Sequence, residues 1–354
     1  MREAIRLALS AGAATFPNPR VGCIIVKGSK VVGRGYHKRP GLPHAEIEAL
    51  RRAGVKARGS TLYVTLEPCC HFGKTPPCTE AIIKAGVRQV VYAVKDPNPR
   101  VRGKGAARLR RAGLRVRGEV CAPEAELANE PYFKFMATGL PFVTVKVAAT
   151  LDGKISTARK DAKWITDARA RALGRELRNE NQAVLVGIGT VLADDPHLGS
   201  RVKGSHDPWR IVLDSRLRIP LKARVVRSRR LIVAVTGAAN QRKARALEER
   251  GVEIWRFPGK HRVPLRPLLR KLARRGMISI LVEGGGQVLG SFFDQKLVDK
   301  VQWFLAPKII GAANAVSAIE GRGVARLADA MELQVTSFSQ VGTCWLLTAY
   351  PMKR

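Results

Sequence analysis

Three side chains that bind metals and one carboxylate lie in a pattern that dictates how the first third of this chain must fold. They are His44-Ala45-Glu46 and, beyond an apolar run, Glu67-Pro68-Cys69-Cys70-His71-Phe72-Gly73-Lys74-Thr75-Pro76-Pro77-Cys78. One imidazole and two thiolates suit a catalytic zinc ion, which takes three protein ligands and keeps a fourth position open for water. Glu46, just past the histidine, is placed to take a proton from that water and pass protons to a reacting group. Pro43 precedes His44 and Pro77 precedes Cys78, and helix-forming sequence follows each, so both ligands are expected at helix N-termini facing one point. The positive ends of those helices favour thiolate at the metal. Cys70, the direct neighbour of Cys69, is expected to be a small packing residue.

H-x-E followed by P-C-x-x-C is the signature of nucleobase deaminases. This chain matches the first half and stretches the second, for Cys69 and Cys78 enclose a long loop where about two to four residues are usual. The loop sets His71 and Lys74 at the mouth of the site, where substrate contact is expected. A structural zinc site has no need of a free carboxylate, so Glu46 argues against a metal-stabilised binding protein. A tRNA or DNA deaminase with an accessory domain is the stronger alternative, encouraged by a formal charge of +35. That charge favours anionic partners. The basic residues are spread along the chain, however, and no low-complexity arm exists, so most of them are read as solvated surface and no nucleic-acid partner is expected.

At 354 residues, 45% of them hydrophobic, the chain exceeds what one core usually serves, and two domains are expected. Apolar runs such as Val143 to Ala149 stop well short of the roughly 20 residues a membrane span needs. The N-terminus carries acid and base among its apolar positions, unlike a signal peptide, so a cytoplasmic protein without membrane partners is expected. Six cysteines, unevenly placed, do not make a disulfide framework.

Short β-rich runs alternate with helical patterns throughout, which predicts an α/β protein. Helix 2–13, strands Val21–Lys27 and Lys30–Tyr36, a helix from His44, strand Thr61–Leu66, a helix near Cys78, strand Gln89–Val94, helix 102–112 and strand Leu114–Arg117 are expected in the first half. A helical connector, Pro123–Ala137, ends at Thr138-Gly139-Leu140-Pro141, which is turn chemistry and sets a boundary between domains 1–140 and 141–354. Strands Phe142–Ala149, Ala183–Val186, Arg210–Leu213, Leu231–Val235, Val252–Phe257, Ile278–Val282 and Lys300–Leu305 are expected in the second. Thr190 and Asp194-Asp195-Pro196 read as a loop. Glu283-Gly284-Gly285-Gly286 follows a strand and precedes a helical pattern, a turn whose amides can approach a phosphate. It is not the G-x-G-x-x-G fingerprint of a Rossmann domain.

With these motifs in hand the sequence resembles the bifunctional deaminase/reductase family of riboflavin biosynthesis. Asn18-Pro19-Arg20-Val21-Gly22, Pro43-His44-Ala45-Glu46, Thr65-Leu66-Glu67-Pro68-Cys69, Asp96-Pro97-Asn98-Pro99, Ala149-Thr150-Leu151-Asp152-Gly153-Lys154, Trp164-Ile165-Thr166, the stretch 186–196 and Val282-Glu283-Gly284-Gly285-Gly286 all stand in the family's order. The resemblance implies a cytidine-deaminase-like α/β/α domain over residues 1–140, binding one Zn²⁺, and a dihydrofolate-reductase-like α/β domain over 141–354, using NADPH. It implies hydrolytic deamination of 2,5-diamino-6-ribosylamino-4(3H)-pyrimidinone 5′-phosphate, with Glu46 shuttling protons, then reduction of the ribosyl group to ribityl. By the same resemblance His44, Cys69 and Cys78 hold the metal. Asn18, His71, Lys74, Arg178, Leu198, Arg201 and Glu283 match substrate positions. Ala148, Trp164, Thr190, Asp194, Gly285, Gly286, Gln287, Val288, Leu289, Gly290 and Ser291 match cofactor positions. Ala162 departs from the family's usual serine and Gly199 from its commoner threonine. Arg178 and Arg201 offer planar forks suited to a phosphate. Hydride transfer needs no protein nucleophile, so no acid or base is assigned to the second half. A homo-oligomer, dimer or tetramer, is expected.

Overall fold

The computed structural model describes residues 1–73, 76–202, 207–237 and 239–352, and divides into two compact units, Met1–Leu140 and Pro141–Arg354. Unit 1 runs α1 (Arg2–Leu9), β1 (Gly22–Lys27), β2 (Lys30–Tyr36), α2 (Ala45–Ala53), β3 (Thr61–Leu66), α3 (Cys78–Lys84), β4 (Gln89–Val94), α4 (Lys104–Arg111), β5 (Arg115–Arg117), α5 (Ala122–Ala128) and α6 (Glu130–Thr138). Its sheet has the order β2-β1-β3-β4-β5, antiparallel at the β2 edge and parallel from β3 onward. One core joins Ala45, Ala49 and Ala53 of α2 to Ile25, Leu62 and Val64 of the sheet, Ile82 of α3 and Leu109 of α4. The alanine face lets α2 lie so low that a Cβ on Gly33 or Gly35 of β2 would strike the carbonyls of Ala49 and Ala45. The helix that carries His44 and Glu46 is thereby seated directly on the strands.

The first helix stops at Leu9 and the chain continues through a 3₁₀ turn at Gly12–Thr15, with Gly12 at φ +56°. The expected connector is two helices broken at Asn129. That side chain turns inward, accepting from Arg20 N at 2.7 Å and donating to Arg20 O at 2.9 Å, a tie between distant segments that periodicity does not reveal.

Unit 2 runs β6 (Phe142–Thr150), β7 (Lys154–Ser156), α7 (Ala168–Asn179), β8 (Ala183–Gly187), α8 (Ile188–Asp194), β9 (Trp209–Leu213), β10 (Leu231–Thr236), α9 (Gln241–Glu248), β11 (Glu253–Phe257), α10 (Leu265–Arg274), β12 (Ser279–Val282), α11 (Gly286–Asp294), β13 (Lys300–Ala306), β14 (Val316–Ser317), β15 (Leu333–Val341) and β16 (Cys344–Pro351). Its main sheet, of nine strands, has the order β11-β10-β9-β8-β12-β6-β13-β16-β15. The strands from β11 to β13 are parallel, and their buried apolar runs are what a sheet covered on both faces requires. Thr190 and Asp194 lie on α8, not on a loop. This helix is short, is preceded by Gly187 without a side-chain cap, and buries only Ile188 and Val191. The hairpin β15–β16 was not among the expected strands. β15 is exposed from Leu333 to Gln340, so no buried face imposes an alternation that could be read.

Candidate functional site

In unit 1 the expected metal ligands meet. His44 is the N-cap of α2 and Cys78 the first residue of α3, while Cys69 follows β3. Their ligand atoms all lie within 4.8 Å of one another. His44 Nδ1 is 3.2 Å from Cys78 Sγ and 3.7 Å from Cys69 Sγ. Tetrahedral zinc with ordinary N and S bond lengths places such atoms about 3.5 Å apart, so the donor set and its spacing fit that ion. The Cys78 thiol, aided by its own backbone N–H and by His44, pulls Cys69 down to about 4, and burial opposes it. Cys78 is correspondingly pushed up, first by Cys69 and then by burial.

Glu46 lies on the first turn of α2 at 4% exposure, and burial raises its carboxyl above the ordinary range. It opens on a cavity of about 440 Å³ lined also by Asn18, His37, His71, Asp96, Asn98 and Tyr132. Asn18 Nδ2 sits 3.1 Å from His37 Nε2, and His37 Nδ1 sits 3.2 Å from the carbonyl of Pro43, directly before the candidate metal ligand His44. With Nδ1 donating to that carbonyl, Nε2 accepts from Asn18 and fixes its amide. Burial lowers the histidine's pKa and keeps this neutral form. The sequence reading missed His37, which is 2% exposed and belongs to no metal motif. It missed Asp96 and Tyr132 as a pair as well: the tyrosine hydroxyl donates to Asp96 at 2.9 Å, and burial raises Asp96 to about 6. His71 Nδ1 is buried with no hydrogen-bond partner among the described residues. Lys74 lies outside the described residues. The Cys70 thiol donates to the Arg100 carbonyl and takes no part in the metal group.

In unit 2 the expected residues gather at the C-terminal ends of parallel strands, where α/β sheets bind ligands. Glu283 follows β12 and forms a two-pronged pair with Arg178 of α7, at 2.5 and 2.7 Å. Arg178 also donates to the carbonyl of Gly199. Burial works against the Glu283 carboxylate, but Arg178 and Lys146 prevail and hold it below the ordinary range. Lys146, on β6 two residues before Ala148, is itself lowered by burial. Nothing in the sequence pattern distinguished this lysine from the other Lys and Arg residues of a strongly basic chain; only the fold places it beside Glu283.

The segment after α8 carries three non-glycine residues at positive φ, Asp195 at +39°, Leu198 at +58° and Arg201 at +55°. Such backbone clusters at functional loops. The Leu198 side chain is 1% exposed and packs into the core, so a contact there would use its backbone. A Cβ on Gly199 would stand 2.7 Å from His197 Nδ1 and 2.8 Å from Arg210 Nη2, so these side-chain ends would have to shift to admit a larger residue.

Thr190 Oγ1 is 3.7 Å from where a side chain on Gly285 would begin, so the start of α8 and the start of α11 face each other. Val288 packs against Gly187. Gln287 is exposed, whereas Leu289 is buried, and Gly286 and Gly290 lie against residues 317–321 where any Cβ would collide. Trp164 is 63% exposed, with the Arg171 guanidinium stacked 4.4 Å from its ring and Lys308 donating to its carbonyl at 2.6 Å. Burial raises the Asp194 carboxyl, with Lys163 opposing.

Residues 1–94 match the cytidine and deoxycytidylate deaminase zinc-binding region, and residues 141–347 match the RibD C-terminal domain. The chain is 42% identical to the riboflavin biosynthesis protein RibD of Aquifex aeolicus, covering 97% of this chain and 95% of that one. It is 39% identical to the RibD of Escherichia coli, covering 97% and 96%. Among solved structures it is similar to Acinetobacter baumannii RibD, with a TM-score of 0.90 at 36% identity over 99% of this chain and 98% of that chain. It is also similar to a diaminohydroxyphosphoribosylaminopyrimidine deaminase/5-amino-6-(5-phosphoribosylamino)uracil reductase from Thermotoga maritima, with a TM-score of 0.87 at 35% identity over 99% and 97%.

Proposed function

The chain belongs to the RibD family of riboflavin-biosynthesis enzymes, and from that premise we propose that residues 1–140 deaminate, and residues 141–354 then reduce, one phosphorylated pyrimidine. It is a bifunctional enzyme, a zinc-dependent deaminase joined to an NADPH-dependent reductase. The substrate proposed is 2,5-diamino-6-ribosylamino-4(3H)-pyrimidinone 5′-phosphate. The observation that carries the reading is the convergence of His44, Cys69 and Cys78 beside the buried carboxylate of Glu46 at one cavity.

His44, Cys69 and Cys78 would hold the zinc ion, which when bound would supply Lewis acidity toward water near neutral pH. Glu46 takes a proton from the attacking water and returns protons to the ring nitrogen and the leaving amine; its raised pKa suits both directions. Asn18, fixed by His37, and His71, whose Nδ1 has no partner among the described residues, orient the ring. Lys74 is assigned to the same substrate.

In the second unit NADPH supplies hydride when bound. Ala148, Trp164, Thr190, Asp194 and the turn into α11 are assigned to the cofactor, with the amides of the turn toward its phosphates. Arg178, Arg201, Glu283 and the backbone at Leu198 are assigned to the ribosyl phosphate. Lys146 and Arg178 hold Glu283 ionised, so that it accepts hydrogen bonds from sugar hydroxyls and fixes the chain being reduced.

No described helix is long and apolar enough to cross a membrane, and we place the protein in the cytoplasm. The exposed strand β15, with Val335 at 53% and Phe338 at 58% exposure, supports a homo-oligomer built on this edge. The function is tested by measuring zinc content, ammonia release and NADPH oxidation on the diaminopyrimidine nucleotide for wild type and His44→Ala. Wild type is expected to show all three, and the variant to lose zinc and ammonia release together. A wild-type protein that releases ammonia from tRNA but not from the nucleotide would overturn the reading.

A further inference from the structure

We infer that Arg216 reads the 2′-phosphate that distinguishes NADPH from NADH. The inference rests on the cofactor site proposed above and adds to it a residue that fixes specificity. The order β9-β8-β12-β6 gives the site a direction. Nicotinamide must meet the substrate residues Arg178 and Glu283, at the β12–β6 side where Ala148 also lies. The pyrophosphate then falls where the starts of α8 and α11 face each other. Adenosine must continue past β8 to the next strand end, that of β9. Parallel strands stand about 4.8 Å apart, so this end lies one such step beyond that of β8, a distance that the ribose next to the pyrophosphate and its 2′-phosphate can span.

Leu213 pairs with Gly187, so the residues after it run abreast of the start of α8. They form a pinned turn. Asp214 Oδ2 accepts from Ile219 N at 2.7 Å, and the Ser215 carbonyl accepts from Thr236 N at 3.1 Å and from its hydroxyl at 3.0 Å. Leu217, at φ +55°, and Ile219 are buried, which leaves Arg216 and Arg218 on the outside. Arg216, the nearer to the end of β9, has no hydrogen-bond or ionic partner among the described residues. Of the other arginines between residues 210 and 224, Arg224 is tied to Asp195 and Arg210 to Asp207.

A site that selects NADH offers a carboxylate to the free ribose hydroxyl, whereas one that selects NADPH offers arginine to the phosphate. Asp214 is the carboxylate of this turn, and it is fully buried with its free oxygen sealed from solvent. What the turn presents is a guanidinium, whose planar fork matches phosphate oxygens.

The test is calorimetric binding of NADPH, NADH, adenosine 2′,5′-bisphosphate and adenosine 5′-monophosphate to the full chain carrying Arg216→Gln, Arg216→Lys or Arg218→Gln. Arg216→Gln should weaken the two 2′-phosphorylated ligands by about 10- to 100-fold while leaving the other two unchanged, which also shows that the variant is folded. Arg216→Lys should recover part of the loss, and Arg218→Gln should change little. The inference is overturned if wild type does not prefer NADPH, if Arg216→Gln keeps the wild-type ratio, or if Arg218→Gln carries the loss instead. Wild type that binds neither dinucleotide would overturn the cofactor reading itself, and this inference with it.

Discussion

The two active units solve opposite problems with buried charge. In unit 1 the candidate metal ligands and Glu46 stand together, and burial drives Glu46 and Asp96 toward their protonated forms. In unit 2 the central carboxylate is held ionised by two cations, and the remaining groups are dispersed along strand ends and helix starts. Hydrolysis with a proton shuttle needs a carboxyl that takes up and releases protons. Hydride transfer needs fixed charges that orient two large ligands, which themselves complete the site. A compact cluster of titratable groups and a dispersed set of fixed charges are the structural forms of those two demands.

The contrast is broken most directly at its acid. Glu46→Gln should leave zinc stoichiometry unchanged and lower ammonia release by about 10²- to 10⁴-fold, with reduction of the deaminated intermediate unaffected. Ammonia release at the wild-type rate with zinc still bound would remove the carboxylate from the chemistry.

Glu283→Ala should act on stability as well as on activity. It leaves Arg178 and Lys146 buried without their counter-charge, which is expected to cost about 3–5 kcal/mol. All five tryptophans lie in unit 2, at positions 164, 209, 255, 303 and 345, so tryptophan fluorescence during urea unfolding reads this loss. An unfolding midpoint equal to that of wild type would mean that the pair is solvated and that the contrast in burial is wrong.

The smallest effect is one of sign. Asp96 has a raised pKa, near 6, so it stays protonated when folded at pH values where the unfolded chain has released the proton. Its contribution to stability therefore falls as pH rises from the ordinary aspartate range toward 6. Glu283 is depressed, so its contribution is present above the ordinary glutamate range and is lost as pH falls through the folded value. Asp96→Asn should flatten the first slope, and Glu283→Gln the second. Slopes of equal sign in the two variants would erase the distinction.

Much of unit 1 was legible because its chemistry is local. Pro43 and Pro77 mark helix starts, His44 and Cys78 stand at those starts, and the metal chemistry follows from residue type alone. His37 and Tyr132 were not legible, since each acts through a partner far away in sequence, Asn18 in one case and Asp96 in the other. In unit 2 the glycine turn at 284–286 could be read from its position between an apolar run and a helical pattern. Lys146 could not, nor could the helical placement of Thr190, because α8 is short and lacks the capping side chain that marks a helix start.

By itself, then, the sequence determined which atoms could bind zinc, which carboxylate could move a proton, and that two α/β units follow each other. These properties depend on residue type and on spacing within one element. The tertiary structure alone decided which charges are buried against which. It set Lys146 and Arg178 upon Glu283, removed the Leu198 side chain into the core, and pinned the turn that presents Arg216. Those outcomes depend on the order of strands in a parallel sheet, where neighbours in space are far apart in the chain.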